Sequence, residues 1–169
     1  MRHAPSSVVS YRPAGPADEP FLRGLFADSR ASDFAHVPGT DAAVQQIVSL
    51  QFDAQAAMLT AHHPRAVHEI ILIEGRARGR VITDTTAERI HLVDIAVVAD
   101  HQGQGIGSQV VSEICQRAAS SGRTVELSVW GQNDRAIRLY VRLGFEPGET
   151  TGHYLSMRWV AGIDTEAFA

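Results

Sequence analysis

The sequence predicts a single α/β domain built on a mixed sheet, and three observations predict it. Short segments of alternating apolar residues recur along the chain and are separated by segments of helical period. An apolar run from Leu92 to Ala99 is interrupted by Gly103, Gly105 and Gly107 and passes at once into a helical pattern. The 169 residues, 44% hydrophobic and 20% charged, carry enough apolar material for one core. No repeat, low-complexity stretch or long linker divides the chain. The expected domain therefore spans residues 1–169, with an ordered core over about 8–160 and a frayed tail over 161–169.

The elements follow in order. Val8, Val9 and Tyr11 ahead of Pro13 predict a short first strand. Pro16-Ala17-Asp18-Glu19-Pro20 places prolines and acidic residues where a helix begins, and Phe21, Leu22, Leu25 and Phe26 follow at helical spacing. That helix is expected to fade between Ser29 and Asp33, ahead of a loop from Phe34 to Gly39. Thr40 or Asp41 then caps a longer helix through Val44, Ile47, Leu50 and Met58, which stops at His62-His63-Pro64. His68 to Ile73 and Arg80 to Thr83 predict two strands joined by a turn over Glu74 to Gly79. A third strand from Arg89 to Val98 completes an antiparallel meander.

After the glycines, Ile106, Val110, Val111, Ile114 and Cys115 repeat with helical period until Ser120-Ser121-Gly122. Thr124 to Trp130 predicts a strand with Val125, Leu127 and Val129 on one face and Glu126, Ser128 and Trp130 on the other. Asn133 is a good cap for a helix carrying Ala136, Ile137, Tyr140 and Leu143, which Gly144 ends. A last strand from Tyr154 to Val160 closes the sheet.

Bulk properties exclude some functions. A formal net charge of -4 and a pI of about 6.0 give no reason to expect a nucleic-acid partner. All fifteen basic residues are arginine. Cys115 is the single cysteine, so no internal disulfide framework exists, and a reducing, cytoplasmic setting is the expectation. Its apolar neighbours mark it as core. The start Met1-Arg2-His3-Ala4-Pro5-Ser6 leads into no apolar signal segment, and no stretch approaches a membrane span. His62, His63 and His68 are joined by no cysteine or carboxylate cluster, so no metal site is expected.

The glycine run carries the first chemical signal. Glycine permits positive φ and close backbone approach, and a helix start aims unpaired N–H groups at the loop. The run thus reads as an anion cradle, or as a tight strand-to-helix connection.

Two separated motifs make the chain resemble the GNAT superfamily of acyl-coenzyme A dependent N-acyltransferases. Gln102-x-x-Gly105-x-Gly107, after the Ala96-Val97 strand end, is similar to that family's R/Q-x-x-G-x-G/A pyrophosphate loop. Asn133-x-x-Ala136-x-x-Leu139-Tyr140-x-x-x-Gly144-Phe145 is similar to its helix beside the pantetheine arm. The likeness is strongest from about Arg89 to Phe145 and thinnest over the first two helices. It implies a central mixed, mostly antiparallel twisted sheet flanked by helices, with acetyl-CoA as donor. It also implies a small-molecule or peptide amine as acceptor, and a homodimer by family habit.

Carried over by residue, the resemblance assigns backbone groups of Val97 and Val98 to the pantetheine amides. It assigns Gln102, Gly103, Gln104, Gly105, Ile106, Gly107 and Ser108 to the pyrophosphate, and Asn133 to the cofactor arm. Position 104 is often basic in the family and is glutamine here, so the loop relies on backbone N–H groups and the helix dipole. Arg135, Arg138 or Arg142 would add charge, or form a solvated helix face.

Acyl transfer to an amine needs a neutral nitrogen, a stabilised oxyanion and a proton for the departing thiolate. Tyr140, a phenol of reference pKa about 10, is the candidate acid for a thiolate whose conjugate acid lies at roughly 8.5. Its alternative is core packing. The resemblance gives the oxyanion to the Val97 N–H. Asp94, inside an apolar strand, is the first candidate base, Glu126 the second and His91 the third. Asp94 also suits an ion pair with an arginine in the sheet. Phe34, His36, Phe52 and Met58 either line the acceptor mouth or anchor core and loop.

The function so implied is acetyl transfer by direct attack in a ternary complex. A catalytically idle acyl-CoA binding domain is the alternative. A dinucleotide-binding oxidoreductase fits worse, because the spacing is G-x-G-x-G and no acidic ribose-binding residue follows at the expected distance.

Overall fold

The computed structural model describes residues 8–34 and 41–162. The strands are β1 (Val9–Pro13), β2 (Val67–Ile73), β3 (Arg76–Thr85), β4 (Arg89–Val97), β5 (Thr124–Trp130), β6 (Glu146–Thr151) and β7 (Tyr154–Trp159). The helices are α1 (Glu19–Phe34), α2 (Asp41–His62), α3 (Ile106–Ser120) and α4 (Asp134–Arg142). The strands order as β1-β2-β3-β4-β5-β7-β6 in one mixed, mostly antiparallel sheet. The expected loop through His36 and Gly39, the Thr40 cap, the Met1 to Ser6 start and the tail from Ile163 lie outside the described residues.

Three expectations need correction. The turn after β2 is two residues, Glu74 and Gly75, both at positive φ, so Arg76 to Gly79 already belong to β3. α1 runs through to Phe34, since no glycine or proline interrupts the stretch after Gly24. The sheet also has a strand that was not expected, β6. Its Glu-Pro-Gly-Glu-Thr-Thr sequence has no apolar alternation because all six residues are exposed on an edge strand.

Chain contacts cluster into two compact units. One holds the described residues up to Ile82 together with Asp94–Ile106; the other holds Thr83–Val93 and the described residues from Gly107 on. In the first, β1 pairs antiparallel with β2 from Val9↔Ile73 to Pro13↔Glu69. Ile70, Ile71 and Ile82 are fully buried there. Phe26 of α1 meets Phe52 of α2 edge to face at 5.7 Å, placing Phe52 in the core. Arg23 joins the same helices, bonding Glu19 at 2.9 Å, Ser49 at 3.0 Å and Asp53 at 2.6 Å.

In the second unit β4 and β5 pair in parallel from Arg89↔Thr124 to Leu92↔Leu127, and α3 makes the crossover between them. β5 then pairs antiparallel with β7. Val125, Leu127 and Val129 are buried while Ser128 and Trp130 are exposed, as the alternation requires.

The entry to α1 is held electrostatically. Arg12 of β1 grips both Asp18 oxygens at 2.6 and 2.7 Å, and the Gly15 N–H donates to the same carboxylate at 2.8 Å. The Arg12 hydrogen bonds, and then the Gly15 bond, hold the Asp18 carboxyl down to about 2. Its unfolded value is about 3.9, so its contribution to stability is complete above that pH and is lost as pH falls towards 2. In thermal melts, the stability gap between the native chain and Asp18→Asn should therefore narrow as pH is lowered from 5 to 2. A gap that stays constant over that range contradicts the pairing.

Candidate functional site

Two backbone devices organise the residues that the motifs single out, one in each unit. The first begins where β3 lies against the end of β4. A Cβ built on Gly79 would stand 2.5 Å from the Ala96 carbonyl oxygen and 3.1 Å from Ile71, so only glycine permits this approach. One residue earlier, the Arg78 carbonyl accepts from the Val98 N–H at 2.9 Å. The Val98 carbonyl in turn accepts from His101 N–H at 3.0 Å.

The loop then reverses through Gly103 at φ 76 and Gly105 at φ 84, backbone that side chains rarely tolerate. Two side chains brace it. Gln102 donates to the Val97 carbonyl at 2.9 Å, and Gln104 donates to the Asp100 carbonyl at 2.8 Å. Each glutamine amide thus spends one N–H on bracing the loop, and the loop's own main-chain N–H groups are the donors that its positive-φ turns present. Ile106 and Gly107 open α3, whose first-turn N–H groups have no partner within the helix. His101 Nδ1 is also buried with no hydrogen-bond partner among the described residues. Main-chain donors, glycines at positive φ and a helix start together fit a diphosphate.

Close to this strand end the half-buried Asp94 is paired. Arg80, only 8% exposed, directs Nε at 3.0 Å and a terminal nitrogen at 2.8 Å to Oδ2 of Asp94. Both contacts fall on one oxygen, and Oδ1 lies outside the pair. The imidazole of His68 is held below its ordinary value by partial burial and next by the Arg80 charge, against the pull of Asp94. It is thus mostly neutral at pH 7.

The second device ends α4. Asn133 caps the helix by accepting the Ala136 N–H at 3.1 Å, so the carboxamide assigned to the cofactor arm already has a structural task. At the other end Phe145 N–H donates to the Tyr140 carbonyl at 3.0 Å and Gly144 N–H to that of Val141 at 3.0 Å, with Gly144 at φ 88. This is a Schellman ending, and its usual apolar contact is made by the rings of Tyr140 and Phe145, 5.5 Å apart. The spacing Tyr-x-x-x-Gly-Phe is therefore the spacing of a helix stop that fixes the tyrosine ring. Tyr140 is 7% exposed and packs in the core.

Glu126, the other carboxylate, lies between two arginines. Arg89 reaches one oxygen at 2.7 Å and Arg158 approaches the other at 3.9 Å. His91 is its register partner on β4. Arg135, Arg138 and Arg142 are exposed along α4. Gly107 faces Leu139, whose methyl would lie 4.0 Å from an added Cβ. Burial pushes the Cys115 thiol up to about 12, which leaves no nucleophilic thiolate at neutral pH. His62 bonds the Met58 carbonyl at 2.9 Å, closing α2. Met58 is exposed, while the Phe34 side chain and His36 lie outside the described residues.

Comparison with known proteins bears on these devices directly. The profile of the Acetyltransferase (GNAT) family matches residues 41–145, which include the glycine loop and α4. The chain belongs to the GNAT family. Among GNAT relatives, the thialysine N-epsilon-acetyltransferase of Mus musculus is 28% identical over 104 residues, 55% of this chain. The chain spans about 61% of that relative's length. In fold it is similar to the PaiA N-acetyltransferase of Thermoplasma acidophilum, solved with coenzyme A (TM-score 0.68, 14% identity). That match covers 90% of this chain and 99% of the other. It is also similar to the spermidine N-acetyltransferase of Vibrio cholerae, solved with CoA and spermine (TM-score 0.63, 15% identity, 90% and 95% covered).

Gly79 and Arg80 were not singled out in the sequence, because their roles depend on strands paired across the sheet. The glycine assignments have a shared test in thermal or urea melts. Gly79→Ala should lose about 1–3 kcal/mol by overlap. Gly105→Ala and Gly144→Ala should each lose about 1–2 kcal/mol by strain. Gly24→Ala, in α1 with nothing within 4 Å of the added methyl, should lose nothing. Equal stability of all four variants contradicts the geometry.

Proposed function

We propose that this chain transfers an acetyl group from acetyl-CoA to a primary amine of a small molecule or peptide, by direct attack in a ternary complex. The observation that carries the reading is the pair of backbone devices within the family-matched region, a glycine loop opening α3 and a capped α4 that fixes Tyr140. The names of the mouse and Vibrio relatives, which refer to thialysine N-epsilon and to spermidine, support an amine acceptor.

Each requirement of the reaction then falls to a group of this chain. Main-chain N–H groups from Gly103 to Ser108 hold the diphosphate of the donor, with the α3 dipole behind them. The Val97 N–H supports the oxyanion that forms when the amine nitrogen attacks the thioester carbon. Tyr140 gives its proton to the departing thiolate as the carbon–sulfur bond breaks.

For deprotonating the amine, Asp94 is favoured over Glu126, because Arg80 engages only Oδ2 of Asp94 while both Glu126 oxygens face arginines. Arg80 then acts through Asp94 by fixing its orientation. An α-amine of pKa about 7.7 to 8.0 needs little help, and a lysine-like amine near about 10.4 needs more.

Free-thiol release from acetyl-CoA, measured against a panel of amines, tests the proposal. An amine should stimulate release, and Tyr140→Phe should lower kcat by roughly 10²- to 10⁴-fold while acetyl-CoA still raises the melting temperature. If acetyl-CoA raises the melting temperature but no amine stimulates release, the chain binds without turning over and the proposal falls.

A further inference from the structure

The mechanism leaves one cluster on the open face of β5 and β7 without a role. Trp130 and Tyr154 are direct cross-strand partners, with ring centroids 5.3 Å apart and planes at 80°. His153 sets its ring 4.9 Å from Trp130 at 41°. Trp130 remains 41% exposed and Tyr154 52% exposed. Backbone bonds hold the group: Gly131 N–H donates to the His153 carbonyl at 2.8 Å, and Asn133 N–H to that of Trp130 at 2.8 Å. The rings thus stand on paired strands rather than on a loose loop.

Two nearly perpendicular, partly exposed rings make a corner, and aromatic faces carry negative potential. A cation seated against it gains directly, most with tryptophan. An anion would be repelled, and Arg158 on the same face lies four register pairs along the strands, beside Glu126. Two or three rings are too small for a stable protein interface, which buries about 1,200 Å² or more.

We infer that Trp130, Tyr154 and His153 form a subsite for an alkylammonium cation, carried by the acceptor as a second, non-reacting group. This rests on the amine-acceptor reading and narrows it to acceptors with two cationic centres. Trp130 ends β5 and stands three residues before Asn133, the cap of the helix that carries Tyr140.

The test uses the full chain and two probes, choline and its neutral tert-butyl carbon analogue, with the indole N–H signals followed by nuclear magnetic resonance. The chain has two tryptophans, so Trp130→Phe assigns the signal. Choline should shift the Trp130 signal saturably and the neutral analogue should not. Tyr154→Leu, which keeps apolar bulk, should weaken choline binding roughly 3- to 10-fold, and Tyr154→Phe should retain it. Equal shifts with both probes, no shift, or a dimer that Tyr154→Leu abolishes would each overturn the subsite.

A second arm compares KM for putrescine and butylamine in thiol release. Putrescine should have the lower KM, and Tyr154→Leu should remove the difference. If thiol release proceeds with no such difference, the subsite fails and the acetyltransferase reading stands. If acetyl-CoA does not bind, that reading fails while the choline titration still decides the cation site.

Discussion

Parallel pairing of β4 with β5 is the constraint on which the remainder depends. Parallel neighbours cannot be joined by a tight turn, so the chain must cross over, and here it does so through α3. A crossover helix that starts just beyond a strand end presents its unpaired N–H groups there. Reversing direction within the few residues after Gln102 requires the positive φ of Gly103 and Gly105. Gln102 and Gln104 then tie the loop back to Val97 and Asp100. The glycine loop is thus a by-product of connecting two parallel strands in little space.

The end of α4 applies the same economy to a side chain. A Schellman ending satisfies carbonyls that the helix leaves unpaired, and its apolar contact between Tyr140 and Phe145 fixes a ring that would otherwise sample several rotamers. Asp18, Asp94 and Glu126 each face arginine, in a chain whose cations are all arginine. Arginine's planar fork suits such partly buried pairs better than lysine's point charge does.

Much of this was legible in the sequence where the signal is local. The glycine run, the Asn133 cap and the alternation along Thr124 to Trp130 each reflect neighbouring residues, and each appears in the fold where expected. What was not legible depends on partners distant in sequence. Arg80 and Asp94 are fourteen residues apart and Arg89 and Glu126 thirty-seven, so those pairs exist only once the strands are aligned. β6 escaped notice because an exposed edge strand needs no apolar period. Trp130 and Tyr154 read separately as ordinary strand residues and become a corner only through the β5–β7 register. The family resemblance assigned Gln102 and Gln104 to a ligand without revealing that their side chains brace the loop.

The central claim is that main chain, rather than side chains, holds the donor's diphosphate at the glycine loop. Amide hydrogen exchange of the full chain with and without acetyl-CoA tests it most directly. Exchange at Gly103, Gln104, Gly105, Ile106, Gly107 and Ser108 should slow when acetyl-CoA is bound, with Gln102→Ala and Gln104→Ala retaining that protection. Acetyl-CoA that raises the melting temperature while leaving exchange at these six amides unchanged would contradict the account.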